Sequence, residues 1–147
     1  MAKFVYNFNT ILSVKEKFED QKRLEYGQAV TKLELEKEKK RQLVEKKDAN
    51  VALFKKVLQE NIEPNEISNI NHYTELLKRN IIEQCKEIMR AEQFVELKRK
   101  ELSEAMKERK KYEKLKEKRY EEYLIEEKKE EQKIIDSLIS YKHSKAR

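Results

Sequence analysis

Hydrophobic residues recur along most of this chain at intervals of three and four, the spacing of one face of an α-helix. From Asn9 to about Glu60, Ile11, Val14 and Phe18 form one stripe; Tyr26, Ala29, Leu33, Leu43, Phe54 and Val57 form a second. Phe18 to Tyr26 is a step of eight residues where a heptad gives seven. The pattern therefore predicts a register slip beside Gly27, which would locally alter a supercoil. Gly27 itself reads in two ways. It is a tolerated helix glycine costing about 1 kcal/mol relative to alanine, or a place where a partner approaches closely.

The helical pattern breaks once, at Asn61-Ile62-Glu63-Pro64-Asn65-Glu66, where the sole proline stands among turn-prone asparagines. Proline disrupts a helix interior but is welcome in a first turn. The first helix is thus expected over about 9–60, a turn over about 61–67, and a second helix over about 68–142 with its start between Pro64 and Ser68. The second stripe is Ile67, Ile70, Thr74, Leu77, Ile81, Ile88, Val95 and Leu102, joined by Ala91, Ala105 and Tyr112. Ile81, Ile88, Val95 and Leu102 repeat at seven residues without error, a strong coiled-coil signal. Two long helices with a short connection lie antiparallel. At about 1.5 Å per residue they would span roughly 75 and 110 Å, so the second overhangs the first near the termini. The expected fold is all-α: one antiparallel two-helix coiled coil, a helical hairpin over residues 1–147 with a thin seam for a core.

Composition narrows the function. The 147 residues include one glycine and one proline, 44% are charged and 37% hydrophobic. Sheets with conventional turns, P-loops, dinucleotide folds and nucleophile elbows all need glycines that are absent. No apolar run approaches the ~20 residues that cross a bilayer. The opening Met1-Ala2-Lys3-Phe4 is interrupted by Asn7 and Asn9 and makes a poor signal peptide. A single cysteine, Cys85, suits a reducing cytoplasm. It lies between Ile81 and Ile88 on the apolar face and reads as a small buried hydrophobe, since no base stands by to make it a nucleophile. His72 and His143 fall at opposite ends of the expected hairpin and cannot share a metal or a triad. The carboxylates occupy solvated faces, where nothing separates their pKa values. No catalytic residue, metal site, cofactor or small-molecule substrate is expected.

Charge is unevenly spread. Against 35 basic and 29 acidic residues overall, 25 of the 36 positions from Lys98 to Lys133 are charged, and Lys107 to Arg119 holds eight basic and three acidic residues. Lys110, Lys114 and Lys118 stack at four-residue spacing beside Glu113, Glu117 and Glu121. Opposite charges three apart, such as Lys110 and Glu113, offset that repulsion by about 0.2–0.5 kcal/mol each. The stripe is either a self-supporting solvated face or a basic surface for a partner. Nucleic acid is disfavoured because the interleaved glutamates repel phosphate and no recognition fold accompanies them. A membrane-surface helix is disfavoured because the apolar stripe thins after Leu102.

The opening Phe4-Val-Tyr-Asn-Phe8-Asn-Thr-Ile11-Leu12 with Phe18-Glu19, and the run from Ala105 to Arg119, resemble FliJ-type proteins of the bacterial flagellar export apparatus. The resemblance covers essentially the whole chain, including its length and single turn. It implies a cytoplasmic coiled coil similar to the gamma stalk of rotary ATP synthases, held peripherally at the inner membrane through the export apparatus. It also implies binding to the hexameric export ATPase and to the cytoplasmic domain of the export gate, and the escort of export chaperones. The stretch from Asn71 to Gln84 is similar to the family's gate-contacting region, which points to His72, Tyr73, Leu77 and Asn80, although Leu77 reads first as a seam position and His72 and Tyr73, off the seam, are the stronger surface candidates. For the ATPase the resemblance points to the end carrying both termini, with Arg109, Lys110, Lys114, Lys116 and Arg119. Phe4 and Phe8 either anchor that end or pack there. Two other readings stand beside this one: a general scaffolding coiled coil with weak nucleic-acid affinity, and the equivalent stalk of a virulence-type secretion system.

Overall fold

The computed structural model describes residues 3–60 and 63–145. They form two helices, α1 (Asn9–Gln59) and α2 (Pro64–Lys145), with no strand among the described residues. The architecture is all-α, a helical hairpin coiled coil. Glu, Lys and Leu, strong helix formers, fill both helices. Ion pairs one turn apart, such as Lys78–Glu75 at 3.3 Å and Lys86–Glu83 at 3.1 Å, reinforce the outer faces. Each contributes a few tenths of a kcal/mol. Residues 3–8 precede α1 without regular structure, and the Asn9 amide donates to the Tyr6 carbonyl at 3.1 Å to turn the chain into it.

At its far end α1 closes with the Glu60 amide donating back to the Val57 carbonyl at 3.3 Å. Of the expected turn, Asn61 and Ile62 lie outside the described residues. The Glu63 carbonyl accepts from the amides of Glu66 at 3.1 Å and Ile67 at 3.3 Å, which puts Pro64 in the first turn. There its missing N–H leaves no bond unmade. Glu66 in the same turn faces the positive end of the helix dipole.

The chain divides into two compact units, Lys22–Leu102 and Met1–Gln21 with Ser103–Arg147. In the first, the helices run antiparallel. Lys22 pairs with Glu101 at 3.2 Å, the Gln84 side-chain amide donates to the Glu36 carbonyl at 2.9 Å, and that of Asn50 donates to the Ile70 carbonyl at 2.8 Å. Ala29, Val57, Leu77 and Ala91 are buried in the seam, with Leu33, Leu43, Phe54, Ile81, Ile88 and Val95 half-buried along it. The second unit is antiparallel too: Lys15 pairs with Glu108 at 3.8 Å and Arg109 with Glu19. Leu12 and Ala105 are its buried apolar seam residues.

The seam of α1 differs from the expected one in its first turns. Ile11, Val14 and Phe18 are 39%, 58% and 51% exposed, while Leu12 and Glu19 are 5% and 4% exposed. The buried and half-buried positions Leu12, Lys15, Glu19, Lys22, Tyr26, Ala29 and Leu33 alternate by three and four throughout. No slip occurs at Gly27. The eight-residue step arises because Phe18 is not in the seam, and a Cβ added at Gly27 would meet nothing within 4 Å. Holding Ile11, Val14 and Phe18 inward would require the helix to be locally rewound before Tyr26. Pairing Glu19 with Arg109 and Lys15 with Glu108 instead makes the polar positions tolerable in the seam.

Candidate functional site

The aromatic opening of the sequence builds a cluster on α2. Tyr6 is buried and its hydroxyl donates to the Tyr112 carbonyl at 3.0 Å. Phe4 sits edge-on to Tyr120, with ring centroids 5.2 Å apart, and tilted against Tyr123 at 5.4 Å. Phe8 lies 5.9 Å from the Tyr6 ring and 6.5 Å from that of Tyr112. Phe4 and Tyr6 reach α2 from the irregular segment before the helix, and Phe8 from the turn that leads into α1. Burial and the nearby Glu127 carboxylate push the Tyr123 phenol up. Val5, Tyr6, Asn7, Phe8 and Arg119 line a recess of about 110 Å³ beside the cluster. Tyr6, Tyr112, Tyr120 and Tyr123 were not singled out as site residues from the sequence. Their signal was the Phe-x-Tyr-x-Phe alternation matched to tyrosines eight and three residues apart on one helix.

The basic residues of the same unit separate into two groups. Arg109 is held inward, pairing with Glu19 and with Glu113 at 2.7 Å; the two carboxylates push its guanidinium up from its ordinary value. Lys116 is half-buried and donates to the Asn9 side-chain oxygen at 3.5 Å. These two side chains tie α2 to the start of α1. Arg119 is exposed and pairs with Glu122 at 3.5 Å. Lys110, Lys111, Lys114 and Lys118 are exposed, and no carboxylate among the described residues pairs with them. Glu113, the partner spacing alone offers Lys110, is turned to Arg109 instead. An uncompensated line of ammonium groups thus runs along the outer face of α2.

The second candidate group lies in the unit Lys22–Leu102. His72, Tyr73 and Asn80 are exposed. Leu77 is 3% exposed and belongs to the seam, whereas its neighbour Leu76 is 44% exposed. Tyr73, Leu76 and Asn80, spaced by three and four, share one outer face. Leu76 was missed in the sequence because a lone leucine one step off a stripe carries no signal until the seam is placed. Cys85 is half-buried. Among the described residues no group of three or more His, Cys, Asp or Glu could hold a metal ion, and no helix is long and apolar enough to cross a membrane.

The family model described as flagellar FliJ protein matches residues 4–147. A solved structure described as that of a YscO homologue from Chlamydia trachomatis superposes with a TM-score of 0.69 at 22% identity, covering 97% of this chain and 96% of that one. At that identity the likeness is one of fold. No curated protein sequence matches the chain.

Proposed function

The chain belongs to the flagellar FliJ protein family, and we propose that it is a non-enzymatic, stalk-like coiled coil of a type III export apparatus. In this reading it binds the hexameric export ATPase through the unit that carries the aromatic cluster, and the cytoplasmic domain of the export gate through the outer face bearing His72, Tyr73 and Asn80. It works in the cytoplasm, drawn to the inner membrane by the apparatus, and escorts export chaperones. The observation that carries the ATPase contact is the line Lys110, Lys111, Lys114 and Lys118, exposed and without carboxylate partners beside a rigid aromatic anchor. A merely solvated face gains nothing from leaving its lysines unpaired, whereas an acidic partner surface does. Arg109 and Lys116 act by holding this end together, and Phe4 and Phe8 by anchoring it. Leu77 contributes to the gate-contacting face through the seam, with Leu76 and Tyr73 as the touching side chains.

The test reverses Lys110, Lys114 and Lys118 to glutamate, with circular dichroism confirming that the helix survives. Stimulation of a cognate export ATPase should fall sharply, and wild-type binding should weaken with salt as screening shortens below ~10 Å above 0.1 M. A folded variant that stimulates normally would overturn the assignment of the stripe. The scaffold reading instead forecasts loss of an RNA association whose logarithm falls linearly with log salt, so parallel titrations with the ATPase and with mixed RNA separate the two. A flagellar and a virulence-type ATPase tested side by side distinguish the two export systems.

A further inference from the structure

Beyond Tyr123, α2 continues for more than five turns, and among the described residues no contact from α1 reaches it. From Leu124 to Lys145 every residue except Glu127 is exposed. The contacts of this stretch run to neighbours on the same helix: Glu126–Lys129 at 3.8 Å, Glu130–Lys133 at 4.0 Å, Gln132 to Asp136 at 3.0 Å, and Lys145 over the Tyr141 ring at 5.3 Å. A solitary helix of this length is marginal in water, yet it carries a dense apolar patch. Ile134, Ile135, Leu138, Ile139 and Tyr141 are 59%, 48%, 58%, 50% and 59% exposed. At 100° per residue they fill one continuous arc, while Asp136, Ser137, Ser140 and His143 fill the opposite one.

The charges bordering this patch identify what covers it. On its own face, one to two turns before the patch, stand Glu127, Glu130 and Glu131 with a single lysine, Lys128; one turn after it stand Lys142 and Lys145. The segment is therefore acidic at one end and basic at the other, with the apolar residues between. A second copy laid antiparallel sets Ile135 against Leu138 of that copy, Ile134 against its Ile139 and Glu131 against its Lys142, with Glu130 about half a turn from its Lys145, and each contact occurs twice about the two-fold axis. A parallel pairing would set like charge on like. An anionic lipid surface would meet the glutamates on the inserting face. We infer that Glu130–Lys145 of α2 is a self-association surface, through which two copies of this chain pair antiparallel. The lysines assigned to the ATPase lie upstream and stay exposed in the pair, so the two contacts are separable.

Sedimentation of the full-length protein over a wide concentration range tests this. Wild type should pass from monomer to dimer as concentration rises. Leu138→Glu should remain monomeric with unchanged helix content, because Leu138 is 58% exposed and its substitution uncovers no buried seam. The double reversals E130K/E131K and K142E/K145E should each weaken association at least about tenfold, and mixing the two should restore it as a heterodimer. In a Cys85→Ser background, E131C mixed with K142C should form a disulfide-linked heterodimer, and neither alone should form a homodimer. A wild type that is monomeric throughout, a Leu138→Glu variant that still dimerises, or single-cysteine variants that cross-link to themselves would each overturn the proposal.

Discussion

Leu76 and Leu77 are adjacent, chemically identical and embedded in the same helix, yet one is 44% exposed and the other 3%. Truncating each to alanine isolates seam burial from every other contribution, because the change in helix propensity is the same at both positions. Buried Leu→Ala substitutions cost about 2–5 kcal/mol, of which part is the cavity left behind. A two-helix seam borders solvent and can close over a gap, so Leu77→Ala should sit near the lower end, at about 2–3 kcal/mol. Leu76 keeps much of its surface in water already, and at about 25 cal/mol per Å² its truncation should cost no more than about 0.5 kcal/mol. The gap of about 2 kcal/mol corresponds to a roughly thirty-fold difference in unfolding equilibrium. Urea titration followed by circular dichroism reads it as a shift in midpoint at constant slope. Equal midpoints for the two variants would refute the seam placement. The same pair separates structure from recognition at the proposed gate-binding face: Leu76→Ala should weaken gate binding without loss of stability, and Leu77→Ala should do so only in step with unfolding.

Three further outcomes are expected. In α1, Leu12→Ala should destabilise clearly while Val14→Ala should be within about 0.5 kcal/mol of wild type; amide hydrogen exchange in the first turns of α1 reads the difference, and the opposite ranking would restore the seam at Ile11, Val14 and Phe18. Gly27→Ala should raise the melting temperature, by up to about 1 kcal/mol of stability, since an added Cβ meets nothing within 4 Å and alanine is the better helix former. A loss of stability there would show a constraint on the backbone that the open surroundings do not reveal. Glu101 is held below its ordinary carboxylate value by the ammonium groups of Lys98 and Lys22. A folded value lower than the unfolded one gives stability that is present above the ordinary value of 4.5 and is lost as pH falls through the depressed value. Wild type should therefore exceed Glu101→Gln in melting temperature at neutral pH and converge with it in acid; a constant difference would contradict the ion pairing.

Two long helices, their antiparallel course and the absence of sheet were legible in the sequence alone. Local physics is sufficient for them: helix formers fill both segments, one proline can only stand in a first turn, and an unbroken heptad from Ile81 to Leu102 admits one face. The basic stretch from Lys107 to Arg119 was equally visible as a sum of charges. Which of its residues are available was not. Arg109 and Lys116 turn inward because Glu19 and Asn9 come from 90 and 107 residues away to meet them, and Glu113 is drawn off Lys110 by that same arginine. Leu76 and Leu77 are interchangeable in composition and differ only by a 100° turn about the helix axis, so burial could separate them only once the partner helix was in place. The first turns of α1 show the limit most plainly. Hydrophobicity favoured Ile11, Val14 and Phe18, but a seam is a property of two helices: continuity of the heptad with Tyr26 and the opposite charges waiting on α2 put Leu12, Lys15 and Glu19 inside, leaving the apolar stripe on the surface.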